Sequence, residues 1–116
     1  MLLDSEKSQN RNRSKMDIVQ DMLSVASART RKTRIMYQAN LSFVQVERYL
    51  KELLGGGLVE RNEGALYLTT PKGHEFLKNY ANYLEHSSRV NRELDEVVKE
   101  RRKLEDTFLN DKSHEG

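Results

Sequence analysis

A chain of 116 residues has room for one domain with an appendage and excludes two full domains. Its 36% hydrophobic against 33% charged residues, with a mean hydropathy of -0.83, is thin for a compact globule and predicts that part of the chain is extended or disordered. The absence of cysteine excludes a disulfide framework and a thiolate metal site, and fits a reducing compartment.

The opening Met1-Leu2-Leu3 runs at once into Asp4, Glu6 and Lys7, so the sequence offers no signal-peptide core and no transmembrane run. The expected setting is cytoplasmic. Net charge is only +2, but it is unevenly placed: Lys7, Arg11, Arg13, Lys15, Arg29, Arg31, Lys32 and Arg34 face only Asp17 and Asp21 over the same stretch. Such a run is either a solvated tail and loop or a surface that contacts phosphates. Residues 1–13 show no periodicity and read as a flexible basic tail. Ser14 and Asp17 form an S-x-x-D cap, after which Val19, Met22, Leu23 and Ala26 share one helical face. Residues 29–32 follow as a basic loop.

Two helical patterns then meet across a short turn between Thr33 and Leu54. Ile35, Met36 and Ala39 lie on one face of a first short helix, Asn40 and Leu41 make the turn, and Ser42 caps the second helix. In that helix Phe43, Val46, Leu50 and Leu53 form the stripe expected to be buried, with Tyr49 and Leu54 at its margins. The opposite face carries Val44, Gln45, Arg48, Lys51 and Glu52, a polar set suited to a nucleic-acid groove. Gly55, Gly56 and Gly57 do not make a phosphate-binding loop, because no Lys-Ser or Lys-Thr follows; they sit where a left-handed residue ends a helix. Leu58 to Arg61 and Ala65 to Thr69, joined by Asn62, Glu63 and Gly64, predict a tight hairpin with Arg61 near its tip.

Thr70 and Pro71 start the last helix, Thr as cap and Pro at the first position, where its missing amide costs nothing. Phe76, Tyr80, Tyr83, Ser87, Val90, Leu94, Val97, Arg101, Leu104 and Phe108 alternate steps of four and three without exception. A 3.5-residue repeat held this long predicts a left-handed coiled coil. A helix from Pro71 to about Leu109 is roughly 58 Å long, more than so small a domain covers, so its distal half needs a partner. A parallel in-register dimer sets Arg101 against Arg101 in a partly buried seam. An antiparallel pair centred on Leu94 instead places Ser87 across from Arg101, Leu84 from Leu104, Tyr80 from Phe108 and Val90 from Val98.

Three helices, a hairpin and a long helix make the winged-helix order, and VERYLKELLGGGLVERNEGALYLTTPKGHEFL resembles that pattern from its apolar stripe to the Leu-Thr-Thr-Pro-Lys-Gly that opens the last helix. KTRIMYQANLSFVQVERYL, with the long C-terminal seam, is similar to the Sso-ten-a family of archaeal DNA-binding proteins over about residues 14 to 109. The resemblance implies a homodimer joined by an antiparallel coiled coil, with a winged-helix module at each end that binds double-stranded DNA with little sequence selectivity. The expected fold is mostly α with a small two-stranded β wing. Its divisions are a flexible basic tail over 1–13, a winged-helix domain over 14–70, a coiled-coil dimerisation helix over 71–110 and a disordered C-terminus over 111–116. Location in the nucleoid follows from the DNA reading.

Resemblance and charge together assign the DNA-binding residues. Arg29, Arg31, Lys32, Arg34 and Arg61 are expected to hold phosphates, which positions a protein without reading sequence. Gln45 and Arg48 are expected to reach base edges, since Gln pairs with adenine and Arg with guanine in the major groove, and Val44 to touch a thymine methyl. Ser42 and Lys51 complete the set. The expected dimer interface comprises Tyr80, Tyr83, Leu84, Ser87, Val90, Leu94, Val97, Val98, Arg101, Leu104 and Phe108. An enzyme finds little support: His74, His86 and His114 have no metal-sharing spacing, and no motif places a nucleophile. No catalytic residue, metal site, cofactor, small-molecule ligand or membrane association is expected. The alternatives are a sequence-specific transcription regulator, or a coiled-coil protein-interaction module on a winged-helix scaffold.

Overall fold

Helix α1 (Lys15–Val25) begins at the predicted cap, in its reciprocal form: Ser14 Oγ accepts the Asp17 amide at 3.1 Å and Asp17 Oδ2 accepts the Ser14 amide at 3.2 Å. The computed structural model describes residues 13–115, with side chains for 13–110; of the tail expected over residues 1–13, residues 1–12 lie outside the described residues, as do the side chains of 111–116. After α1 come β1 (Thr30–Arg31), α2 (Lys32–Gln38), α3 (Phe43–Gly55), β2 (Val59–Arg61), β3 (Leu66–Thr69) and α4 (Pro71–Glu115). The chain divides into one unit ending at Tyr80 and a second beginning at Ala81.

In the first unit α1, α2 and α3 enclose a core in which Met22, Leu23, Ile35 and Val46 are fully buried. Helix α2 stops at Ala39 because Asn40 turns to φ 56, the left-handed region that Asn tolerates better than most residues. Helix α3 opens on a second reciprocal cap, Ser42 Oγ accepting the Gln45 amide at 3.1 Å and Gln45 Oε1 accepting the Ser42 amide at 3.0 Å. Its buried stripe is Val46, Tyr49, Leu50 and Leu53. The expected stripe is corrected at its N-terminal end and at its margin: Phe43 is 59% exposed and Tyr49 only 8%. Side chains on a helix lean toward its N-terminus, so a residue in the first turn is carried past the packed surface. Of the glycines that follow, Gly57 takes φ 76, and the Leu58 amide donates back to the Leu53 carbonyl at 2.9 Å, closing α3.

The wing is larger than expected. Residues 29–32, read as a loop, contain β1, which pairs antiparallel with β3 to give a three-stranded sheet in the order β1-β3-β2. Thr30 and Arg61 both pair with Tyr67, while Arg31 pairs with Leu66. Thr69 ties the sheet to α1: its amide donates to the Ala26 carbonyl at 2.9 Å and its hydroxyl to the Leu23 carbonyl at 2.7 Å.

Thr70 joins α3 to the start of α4, donating to the Gly57 carbonyl at 2.6 Å and accepting the Gly73 amide at 3.1 Å. Within this unit the first turns of α4 pack inward: Phe76 and Leu77 lie against the core, the Phe76 and Tyr80 rings stack with centroids 6.0 Å apart, and the Tyr80 hydroxyl donates to Asp17.

The second unit is helix throughout its described length to Glu115. Tyr83, Leu84, Val90, Leu94, Val97, Val98, Leu104 and Phe108 are all exposed on it, Ser87 is half-buried, and Arg101 pairs with Glu105 at 3.5 Å. The repeat of four and three residues holds on this long helix, as a coiled-coil helix requires.

Candidate nucleic-acid interface

Helix α3 buries one face and offers the other, so the outward residues follow directly from the stripe. Val44, Arg48 and Lys51, at i, i+4 and i+7, are exposed along one line, with Val44 at 70%. Arg48 lies over the Tyr49 ring at 5.3 Å, which keeps its guanidinium against the helix. Ser42 and Gln45, expected to meet DNA, spend side-chain oxygens on the cap of α3.

The carboxylates on this helix are both paired with lysines from other elements. Lys32 of α2 donates to Glu47 Oε2 and places its ammonium 4.9 Å from the centre of the Phe43 ring. Lys15 of α1 bonds Glu52 at 2.7 Å, and that hydrogen bond, with the charge of the carboxylate, holds the lysine pKa above its ordinary value. Among the described residues Arg48 and Lys51 have no ion-pair partner. The helix therefore faces outward with two uncompensated cations and two compensated anions.

The basic segment reaches this face only in part. Lys32, half-buried, touches α3; Arg31, exposed, stands at the N-cap of α2 immediately before it, and Arg34 is exposed on α2. Arg29 is exposed in the link before β1. Arg61 is exposed over Tyr67, its guanidinium carbon 5.9 Å from the ring centre. Paired residues of a sheet share a face and successive residues alternate. The register thus sets Arg61 with Tyr67 and Thr30 on one face, and Arg31 with Leu66 on the other.

Several participants escaped the sequence reading. Phe43 was taken for core, and only the position of the stripe in space shows it exposed beside Val44. Glu47 acquires its meaning from Lys32. Arg13, assigned to the tail, holds the turn between α2 and α3: it donates to the carbonyls of Ala39 at 2.5 Å and Asn40 at 3.0 Å and pairs with Asp21 at 2.5 Å. An S-x-x-D cap one residue later was the available signal that order begins there. Tyr80, placed in the dimer seam, is 8% exposed and sits in the first unit's own core.

Among the described residues no helix is long and apolar enough to cross a membrane. The crystal structure of Sso10a-2, a DNA-binding protein from Sulfolobus solfataricus, is similar to this chain at 21% identity and a TM-score of 0.66, over 75% of this chain and 95% of that one. At that identity the likeness speaks for the fold. Among curated proteins, none matches the sequence. The winged helix-turn-helix family model matches residues 12–88, which takes in α1, the helix-turn-helix, the whole sheet and the root of α4. This chain belongs to the winged helix-turn-helix family.

Proposed function

We propose that this protein binds duplex DNA as a dimer, in an architectural, chromatin-type role with low sequence selectivity. One observation carries the reading: the outward face of α3 keeps Arg48 and Lys51 without acidic partners, while both of its carboxylates are neutralised by lysines of α1 and α2. A helix so arranged approaches a polyanion without the repulsion its own acids would cause. The DNA-binding description of Sso10a-2 supports the same direction. In this reading Arg29, Arg31, Arg34 and Lys51 hold phosphates, Arg61 does so from the other face of the sheet, and Val44 and Arg48 stand nearest the bases.

The dimer is part of the proposal. Residues 14–70 form the DNA-binding domain and 71–110 the dimerisation helix, with Tyr83, Leu84, Ser87, Val90, Leu94, Val97, Val98, Arg101, Leu104 and Phe108 in an antiparallel seam centred on Leu94. Ser87 then lies across from Arg101, and the two polar positions meet each other. Combining Leu84→Cys with Leu104→Cys tests the register by which positions the disulfide links, read by peptide mapping after oxidation: position 84 to position 104 if the coil is antiparallel, and like position to like if it is parallel.

Titration of a labelled random-sequence duplex, followed by anisotropy at several salt concentrations, tests the DNA reading. Tight binding that weakens steeply with log salt is expected, because each phosphate contact contributes about 0.9 to the slope. Neutralising Arg29, Arg31 and Arg34 together lowers that slope and weakens binding to all sequences about equally. No binding at low salt removes the reading and turns attention to the apolar stripe of the second unit as a protein-interaction surface. Strong preference for one duplex over competitors favours a sequence-specific regulator.

A further inference from the structure

The first turns of α3 carry on their outward face a group that phosphate binding does not call for, the carboxylate of Glu47. It lies three residues after Val44, one turn into the helix, with its side chain 48% exposed. Recognition helices present their first turns to base edges, so a carboxylate at this position arrives among the bases and not at the backbone. Lys32 bonds Oε2, which offsets the charge on approach to DNA, and Oε1 accepts no hydrogen bond among the described residues. The neighbouring amide cannot take its place, because Gln45 Oε1 is committed to the Ser42 amide. The acceptor offered outward by the first turns of α3 is therefore that of Glu47.

An ionised carboxylate only accepts hydrogen bonds. In the major groove guanine N7 and O6 and thymine O4 are acceptors and repel it, and adenine N6 stands between two acceptors, its own N7 and thymine O4, whereas the cytosine N4 amine has an acceptor, guanine O6, on one side only. Phe43 and Val44, exposed on the same turn, offer apolar contact to the pyrimidine C5 edge. We propose that Glu47, held by Lys32, is a specificity-determining residue: its carboxylate selects a cytosine whose N4 amine faces the major groove. It thereby sets a base preference at one position within binding otherwise dominated by phosphates. This inference rests on the DNA-binding reading above.

The test exposes wild type, Glu47→Gln and Glu47→Ala at low salt to a pool of duplexes randomised over their central turn. Bound duplexes are sequenced, and anisotropy compares the enriched duplex with one whose cytosine pair is replaced by a thymine pair. Wild type is expected to enrich cytosine at one position, with about tenfold discrimination, the lower part of the range for a specific base contact. Glu47→Ala loses that enrichment while still binding, and Glu47→Gln, which adds a donor beside its acceptor, moves the preference toward adenine. Matching melting temperatures verify that folded proteins are being compared, as the exposure of the side chain leads one to expect. An identical base preference in all of them, or none in wild type, overturns the role of Glu47 and leaves DNA binding intact. Failure of wild type to bind any duplex overturns the DNA reading itself, and the role of Glu47 with it.

Discussion

Asp17 serves two partners with one carboxylate: Oδ2 accepts the Ser14 amide at the head of α1, and Oδ1 accepts the Tyr80 hydroxyl from α4. The helix cap and the attachment of α4 within the first unit thus depend on the same side chain. Tyr80→Phe removes the second bond but keeps the ring stacked on Phe76. The expected cost is about 1–2 kcal/mol, as for a partly buried hydrogen bond to a charged group. At about 4–8 °C per kcal/mol for a domain of this size, the loss is readily seen in a thermal melt. Self-association should not change. An unaltered melt with weaker self-association would move Tyr80 back into the seam.

Gly73 stands where α4 crosses the end of the sheet. A Cβ there would lie 2.3 Å from the Leu58 carbonyl oxygen and 2.5 Å from Thr69 Cγ2. The carbonyl belongs to backbone that also accepts the Thr70 amide at 3.0 Å, so it has little freedom to move. Gly73→Ala should destabilise the domain by about 1–3 kcal/mol through overpacking, even though alanine is the better helix former. Denaturant unfolding measures this, and a stabilised variant would contradict the close approach.

The β2–β3 turn has a non-glycine residue in the left-handed region. Ala65 adopts φ 61, one position after Gly64. The left-handed conformation costs an L-residue about 1–2 kcal/mol, part of which glycine returns as entropy of the unfolded chain. Ala65→Gly should therefore raise stability by about 0.5–1 kcal/mol without altering DNA binding. A lower midpoint in denaturant would show that the turn is held by the alanine side chain.

Leu94 tests the proposed coil at its centre. It is 55% exposed on its own chain. Leu94→Asp places a charge where two copies would meet, and ultracentrifugation should show monomers. The first unit should melt as before, while affinity for a long duplex falls because the paired sites are uncoupled. A mass unchanged from that of the wild type would rule out the register centred on Leu94.

Local chemistry explains which parts of this molecule were legible in its sequence. The cap of Ser14 and Asp17 joins residues three apart and was readable for that reason, as was the cap at Ser42, although its partner Gln45 was assigned to a base edge. So was the long last helix, whose period is carried by its own residues. Strand β1 was not, because Thr30 and Arg31 contain no period and become a strand only through Tyr67 and Leu66. The candidate interface was half legible. Its cations follow from composition, but the pairing of Lys32 with Glu47 and of Lys15 with Glu52 joins separate helices, and the opposed faces of Arg31 and Arg61 require the register. Phe43 was misplaced because periodicity gives a direction around a helix and not where the packed surface ends.

The short strand β1 also gives the sheet a kinetic asymmetry. Strands β2 and β3 are joined by a tight turn, and such hairpins form in microseconds from local contacts. Thr30 reaches Tyr67 only after the chain between them, which includes the entire helix-turn-helix, has folded back on itself. Loop closure of that span must precede the reward from pairing. Contact order therefore predicts that the β2–β3 hairpin pairs before the β1 edge. Closure of that edge is the event that reports the helix-turn-helix has taken its native arrangement.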